Sequence, residues 1–307
     1  MVVQEFHLDV GDGHAIRVET WGRADGIPVL FLHGGPGSGC NPGQRVLFDP
    51  DLHLAIFVDQ RGAGRSLPHR ARHANTTDHL VADLERVRSH LGIDAWFITG
   101  GSWGATLALA YAQAHPARVR GMVLRAVFLG TRAELDAAFG PRLRCFHPVL
   151  HQALIEATPT ALRDDPLGAI WTRILDPDPV VHRPAAFLWS DIERAMSELR
   201  PAHVAVQPVT DDRPLPSTPF MEAHYFLHDS FLAAGQLLSG VDRLKDIPAV
   251  LVQGRHDLLC PPETTAELAA RWPAARIEMV EGAGHAMSDP GVAAAMAGAI
   301  RDLTRGC

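Results

Sequence analysis

Gly100-Gly101-Ser102-Trp103-Gly104 has the form G-x-S-x-G, and its setting decides how the rest of the chain is read. Before it, Ala95-Trp96-Phe97-Ile98-Thr99 is an apolar, partly β-branched and aromatic run that predicts a buried strand. After it, Ala105 to His115 is rich in Ala and Leu without Pro or Gly, and predicts a helix. A serine on a tight strand-to-helix turn is exposed as a nucleophile, and glycines beside it let strand and helix crowd together. The backbone N–H of Trp103, at the start of that helix, points where negative charge would develop.

Outward from this elbow the chain alternates strands and helices. Glu5–Val10 and Ala15–Trp21 read as strands joined by the turn Gly11-Asp12-Gly13. Pro28–Leu32 and Leu54–Val58 are wholly apolar, as expected of strands buried on both faces. Thr76 or Thr77 caps a helix to about Leu91, which Gly92 stops. Val119–Phe128 is another strand. After a long interval the rhythm resumes with a strand at Ala249–Gln253, a helix at Pro262–Trp272, a strand at Arg276–Val280 and a helix at Pro290–Leu303. The expected fold is α/β: a mostly parallel twisted sheet with helices on both faces. Residues 1–129 and 241–307 form its main unit. Residues 130–240, with helical stretches such as Ala185–Leu199 and the aperiodic Pro-rich segment Pro201–Pro219, are expected to be a helical cap inserted over the sheet's edge.

A serine hydroxyl is a poor nucleophile at neutral pH and needs a base, with a third group to orient that base. In this architecture the acid and then the histidine follow the serine, each just past a late strand. Gly254-Arg255-His256-Asp257 and Glu281-Gly282-Ala283-Gly284-His285 are the loops in those places. Asp257 is therefore the expected acid and His285 the expected base, with His256 structural. His33-Gly34-Gly35-Pro36-Gly37, after an early strand, supplies a second oxyanion donor at the N–H of Gly35, beside that of Trp103. It is not a phosphate cradle, because G-K-[ST] is missing.

The whole chain of 307 residues carries 28 Lys and Arg against 35 Asp and Glu, a formal net charge of −7. With no basic cluster, nucleic-acid or anionic-membrane binding is not expected. No apolar run reaches membrane-spanning length, and Met1–Glu5 does not resemble a secretory leader. Cys40, Cys145, Cys260 and Cys307 lack C-x-x-C spacing, which argues against a zinc site and fits a reducing cytoplasm.

His33–Gly37, Asp59-Gln60-Arg61-Gly62-Ala63-Gly64-Arg65-Ser66, Asn75-Thr76-Thr77 and Gly100–Gly104 together resemble proline iminopeptidases. These are α/β-hydrolase serine peptidases without cofactors. The resemblance is dense from about Val29 to Phe128, returns from about Glu222 to Pro290, and is weak between. It implies release of an N-terminal residue, preferably proline, from a small peptide or amino-acid amide. It also implies a carboxylate clamp for the cationic terminus. The family's Trp-Ser-x-Trp-Glu motif is matched by Trp189-Ser190-Asp191-Ile192-Glu193 except for Ile192, and its Glu-x-His-Tyr-Phe motif by Glu222-Ala223-His224-Tyr225-Phe226. Glu193 and Glu222 are thus the implied clamp. The family's aromatic segment at the start of the cap is replaced by Leu135–Arg142, leaving Phe139, Phe146, Trp189 or Phe226 to line a substitute pocket. An esterase or amidase acting on small amino-acid esters or amides is the alternative. The oligomeric state is not fixed by these features.

Overall fold

Strand β3 (Ile27–Leu32) shows why the sheet is built as it is. Its residues Val29, Leu30, Phe31 and Leu32 are all buried, but they alternate between two cores. Leu30 and Leu32 join a core with Ile56, Val58, Ile98, Leu124 and Leu251; Val29 and Phe31 join the other, with Ala55, Phe57, Phe97, Val123 and Val250. A strand apolar on both faces needs helices on both faces. The computed structural model describes residues 2–210 and 213–306; Cys307 lies outside them.

The sheet has eight strands in the order β1-β2-β4-β3-β5-β6-β7-β8. β1 (Val2–Gly11) and β2 (His14–Gly22) form an antiparallel hairpin, and β2 pairs antiparallel with β4 (His53–Val58). From β4 onward every pairing is parallel, through β3, β5 (Trp96–Ser102), β6 (Val119–Val127), β7 (Ala249–Gly254) and β8 (Ala275–Val280). One face is covered by α1 (Thr77–His90), which Thr76 caps, and by α2 (Trp103–Ala114).

Between β6 and β7 the chain is helical: α3 (Arg132–Ala137), α4 (Leu143–Phe146), α5 (Pro148–Ala157), α6 (Pro166–Ile174), α7 (Pro179–Ser197), α8 (Thr218–Phe226) and α9 (Gln236–Ser239). Helix α7 starts six residues before the expected Ala185, because Asp178 caps it and Pro179 occupies its first turn, where a missing N–H costs nothing. Pro184 then sits inside the helix. After β7 come α10 (Pro262–Arg271) and α11 (Val292–Thr304), the latter covering the second face through Val292, Met296, Ala299 and Ile300. Among the described residues no helix is long and apolar enough to cross a membrane.

Helix α2 is buried from Trp103 to Gln113, which explains its Ala-rich sequence. It approaches β3 so closely that a Cβ on Gly104 would collide with the Leu32 carbonyl, a backbone atom with no room to yield. Gly104→Ala is expected to destabilise the protein by about 1–3 kcal/mol. Denaturant unfolding checks this, and an unchanged midpoint would refute the packing argument.

Candidate active site

Ser102 closes β5 with φ 56° and ψ −125°, a strained conformation for a residue with a Cβ, and α2 begins at the next residue. The strain is held by neighbours on both sides. Trp103 is fully buried and donates from Nε1 to Gln60 Oε1 at 2.8 Å. Gln60 in turn donates from Nε2 to the His33 carbonyl at 3.1 Å, and its backbone N–H donates to His33 Nε2 at 3.1 Å. One buried glutamine thereby ties the serine turn to the loop after β3. In that loop Gly35 has φ +104°, a backbone conformation that favours glycine.

Asp257 and His285 come together as expected. His285 Nδ1 donates to Asp257 Oδ2 at 2.9 Å and lies 3.1 Å from Oδ1. Asp257 Oδ1 also accepts from the backbone N–H groups of Leu259 (3.0 Å) and Cys260 (2.8 Å). Asp257 and His285 are both buried. Arg125 donates to the His285 carbonyl, and the N–H of Ala286 donates to the Ser197 carbonyl at the end of α7, 3.0 Å. His256 is exposed and takes part only through its backbone, donating to the Ala283 carbonyl at 2.9 Å.

Ser102, His285, Gly35, Glu193 and Glu222 line one cavity of about 370 Å³. No hydrogen bond joins Ser102 to His285 in this structure; such contacts often tighten only when substrate is bound. Beside Ser102 a narrow apolar cleft of about 30 Å³ opens between Phe128, Leu135, Phe139, Phe226 and Cys260. Of the aromatic residues named from the sequence, Phe139 and Phe226 line this cleft, Trp189 packs behind it, and Phe146 does not take part. The Trp189 ring lies 4.5 Å from that of Phe139, and Phe146 is 58% exposed. Phe128 and Cys260 were not singled out from sequence. Phe128 lies just past the end of β6 and Cys260 in the loop between β7 and α10, both at the edge where such sheets bind ligands, and that was the available signal. Burial pushes the Cys260 thiol up, so it stays protonated against Ser102 as part of an apolar wall.

The two glutamates meet. Glu222 is fully buried on α8, and its Oε2 accepts from Trp189 Nε1 at 2.7 Å. Its Oε1 is buried without a donor. Glu193, on α7 and partly open to the cavity, faces it. Burial, and then the neighbouring Glu193, push the Glu222 carboxyl well above the usual carboxylate range; burial pushes Glu193 up too. Among the described residues no group of three or more His, Cys, Asp or Glu is arranged to hold a metal ion.

Residues 27–291 match the family model of the alpha/beta hydrolase fold. The chain is 39% identical over 290 residues to a proline iminopeptidase of Arabidopsis thaliana, covering 94% of this chain and 76% of that one. It is 38% identical over 311 residues to the proline iminopeptidase of Neisseria gonorrhoeae, covering 98% and 97%. The solved structure of a proline iminopeptidase from Mycobacterium smegmatis shares the fold, with a TM-score of 0.60 at 20% identity over 98% of this chain and 99% of that one. With a family model over residues 27–291 and relatives at 38–39% identity over nearly the whole chain, the chain belongs to the proline iminopeptidase family within the α/β-hydrolase fold.

Proposed function

We propose that this protein is a serine aminopeptidase that releases an N-terminal residue, preferably proline, from small peptides. Ser102 attacks the carbonyl carbon of the first residue. His285 takes the hydroxyl proton and passes it to the leaving amine, while Asp257 fixes the imidazole and stabilises its charged form. The N–H groups of Gly35 and Trp103 receive the oxyanion. Water then hydrolyses the acyl-enzyme, and no cofactor enters. Residues 130–240 act as a cap over residues 1–129 and 241–307. The cleft between Phe128, Phe139 and Phe226 takes the ring of the N-terminal residue.

The observation that carries this reading is the carboxylate pair. Glu222 Oε1 is buried with no N–H or hydroxyl donor, its carboxyl is hydrogen-bonded to that of Glu193, and both line the cavity of Ser102. An unpaired buried carboxylate is costly, so the pair retains a proton until a cation arrives. A cationic amino or imino terminus supplies both charge and donors.

The pH dependence follows with a definite sign. Both carboxyls are shifted upward, so acid protonates the pair and weakens binding of the cationic terminus. KM should therefore rise as pH falls, and binding should release protons. At the alkaline side the substrate loses its own charge at about pH 8, the usual range of an α-amino group. Glu193→Gln and Glu222→Gln should each lower kcat/KM for a proline arylamide by about 100-fold, near the loss expected for a buried charge-assisted hydrogen bond. They should leave N-acetylated aryl esters nearly untouched and flatten the acidic limb. Equal losses on free and blocked substrates would favour an esterase or amidase instead.

A further inference from the structure

Glu222 is only as useful as its distance from Ser102, and α8 carries it from the far side of the cavity. Three contacts register α8 against the catalytic sheet. At Gly37, in the loop after β3, an added Cβ would stand 2.7 Å from Met221 Cβ, so helix and loop are already in contact. The Tyr225 ring packs on the Trp103 ring with centroids 4.6 Å apart. The third contact is Asn75, from the Asn75-Thr76-Thr77 stretch that precedes α1.

Asn75 is completely buried, and its side chain and carbonyl are both engaged. Its Nδ2 donates to the carbonyls of Arg61 (3.1 Å) and Ala71 (2.8 Å), which fixes the amide within its own loop. Its Oδ1 accepts from the Tyr225 hydroxyl at 2.7 Å, and its carbonyl accepts from His224 Nε2 at 2.8 Å. The loop behind it is itself rigid. Arg61 forms a two-point pair with Asp83 at 2.6 and 2.8 Å and donates to the Ala74 carbonyl at 2.6 Å. Two consecutive residues of α8 are thus bonded to one immobile asparagine, two and three positions from Glu222. Thr77 Oγ1 adds a bond to the Ser230 carbonyl just beyond the helix, 2.5 Å.

We propose that Asn75 is a positioning residue for recognition of the substrate's amino terminus: it sets where α8 holds Glu222 relative to Ser102. The inference rests on the reading of Glu222 as an amine ligand. Asn75 touches neither Ser102 nor His285, so its loss displaces the clamp and spares the nucleophile. A misplacement of about 1 Å costs up to about 100-fold in rate.

The test compares Asn75→Ala and Tyr225→Phe with Glu222→Gln and wild type. Two rates are measured: kcat/KM for a proline arylamide relative to an N-acetylproline aryl ester, and labelling of Ser102 by a fluorophosphonate. Asn75→Ala should lower the free-to-blocked ratio by about 10- to 100-fold, mainly through KM, with labelling within about twofold of wild type. Tyr225→Phe, which removes one oxygen and keeps the ring on Trp103, should lower the ratio by about 3- to 10-fold. It decides the matter alone if Asn75→Ala does not fold. An unchanged ratio in these variants while Glu222→Gln lowers it would overturn the positioning role and leave the clamp standing. Parallel loss of ratio and labelling would mean a merely structural role. If Glu222→Gln itself leaves the ratio unchanged, the clamp and the positioning role fall together.

Discussion

Ser102→Ala should reduce turnover of a proline arylamide by on the order of 10⁶, down to the residual catalysis left by binding and oxyanion contacts. The expectation rests on where the hydroxyl is held. Ser102 sits at φ 56°, and the strained turn persists because the surrounding contacts over-determine it. Gly104 lets α2 press on β3, and Gln60 binds both the Trp103 ring and the His33 loop. An alanine meets the same backbone strain as serine, so the variant should fold and melt like wild type. Stability and activity are thereby separable. Release of the arylamine and labelling by a fluorophosphonate are the measurements. A variant that still turns over at a wild-type rate would exclude Ser102 as the nucleophile.

Asp257→Asn should lower kcat by about 10⁴ while leaving the geometry intact, the size seen when a triad aspartate becomes an amide. The local hydrogen bonds give the reason. Asp257 Oδ1 is held by two backbone donors, Leu259 N–H and Cys260 N–H, so an asparagine would keep its carbonyl oxygen there. Its NH₂ would then replace Oδ2, which faces His285 Nδ1 at 2.9 Å. A donor facing Nδ1 forces that nitrogen to accept and moves the ring proton to Nε2. The imidazole would then present a proton to Ser102 instead of a lone pair. Single-turnover kinetics should show slow acylation with little change in substrate affinity. A loss below tenfold would mean that Asp257 does not set the tautomer.

The sheet was readable because burial on both faces leaves a plain signature. Pro28–Leu32 and Leu54–Val58 are apolar throughout, and the strands at Ile27–Leu32 and His53–Val58 extend them by one residue each. The meeting of Asp257 and His285 near the end of β5 was readable because each follows a strand at the same edge of the sheet. The helical insertion was harder. Pro184 stands just before the expected helical stretch from Ala185, yet it lies within α7, where packing of Phe187, Leu188, Trp189 and Ile192 outweighs one lost backbone bond. The cleft was harder still. Phe128, Phe139 and Phe226 come from three separate parts of the chain, and only tertiary packing brings them together. Phe146 has the same side chain and points to solvent, and nothing in its local sequence distinguishes it.

The bond from the Ala286 N–H to the Ser197 carbonyl ties the loop of His285 to the last turn of α7, the helix that also carries Glu193. The helix that carries Glu193 is therefore also a strut for the loop that carries His285. Such an insertion is not an exchangeable module. Transplanting one from a hydrolase of different taste would import a new selectivity and misalign the histidine at the same time. Any redesign of preference in this scaffold has to be made side chain by side chain within α7 and α8, with their ends left where they are.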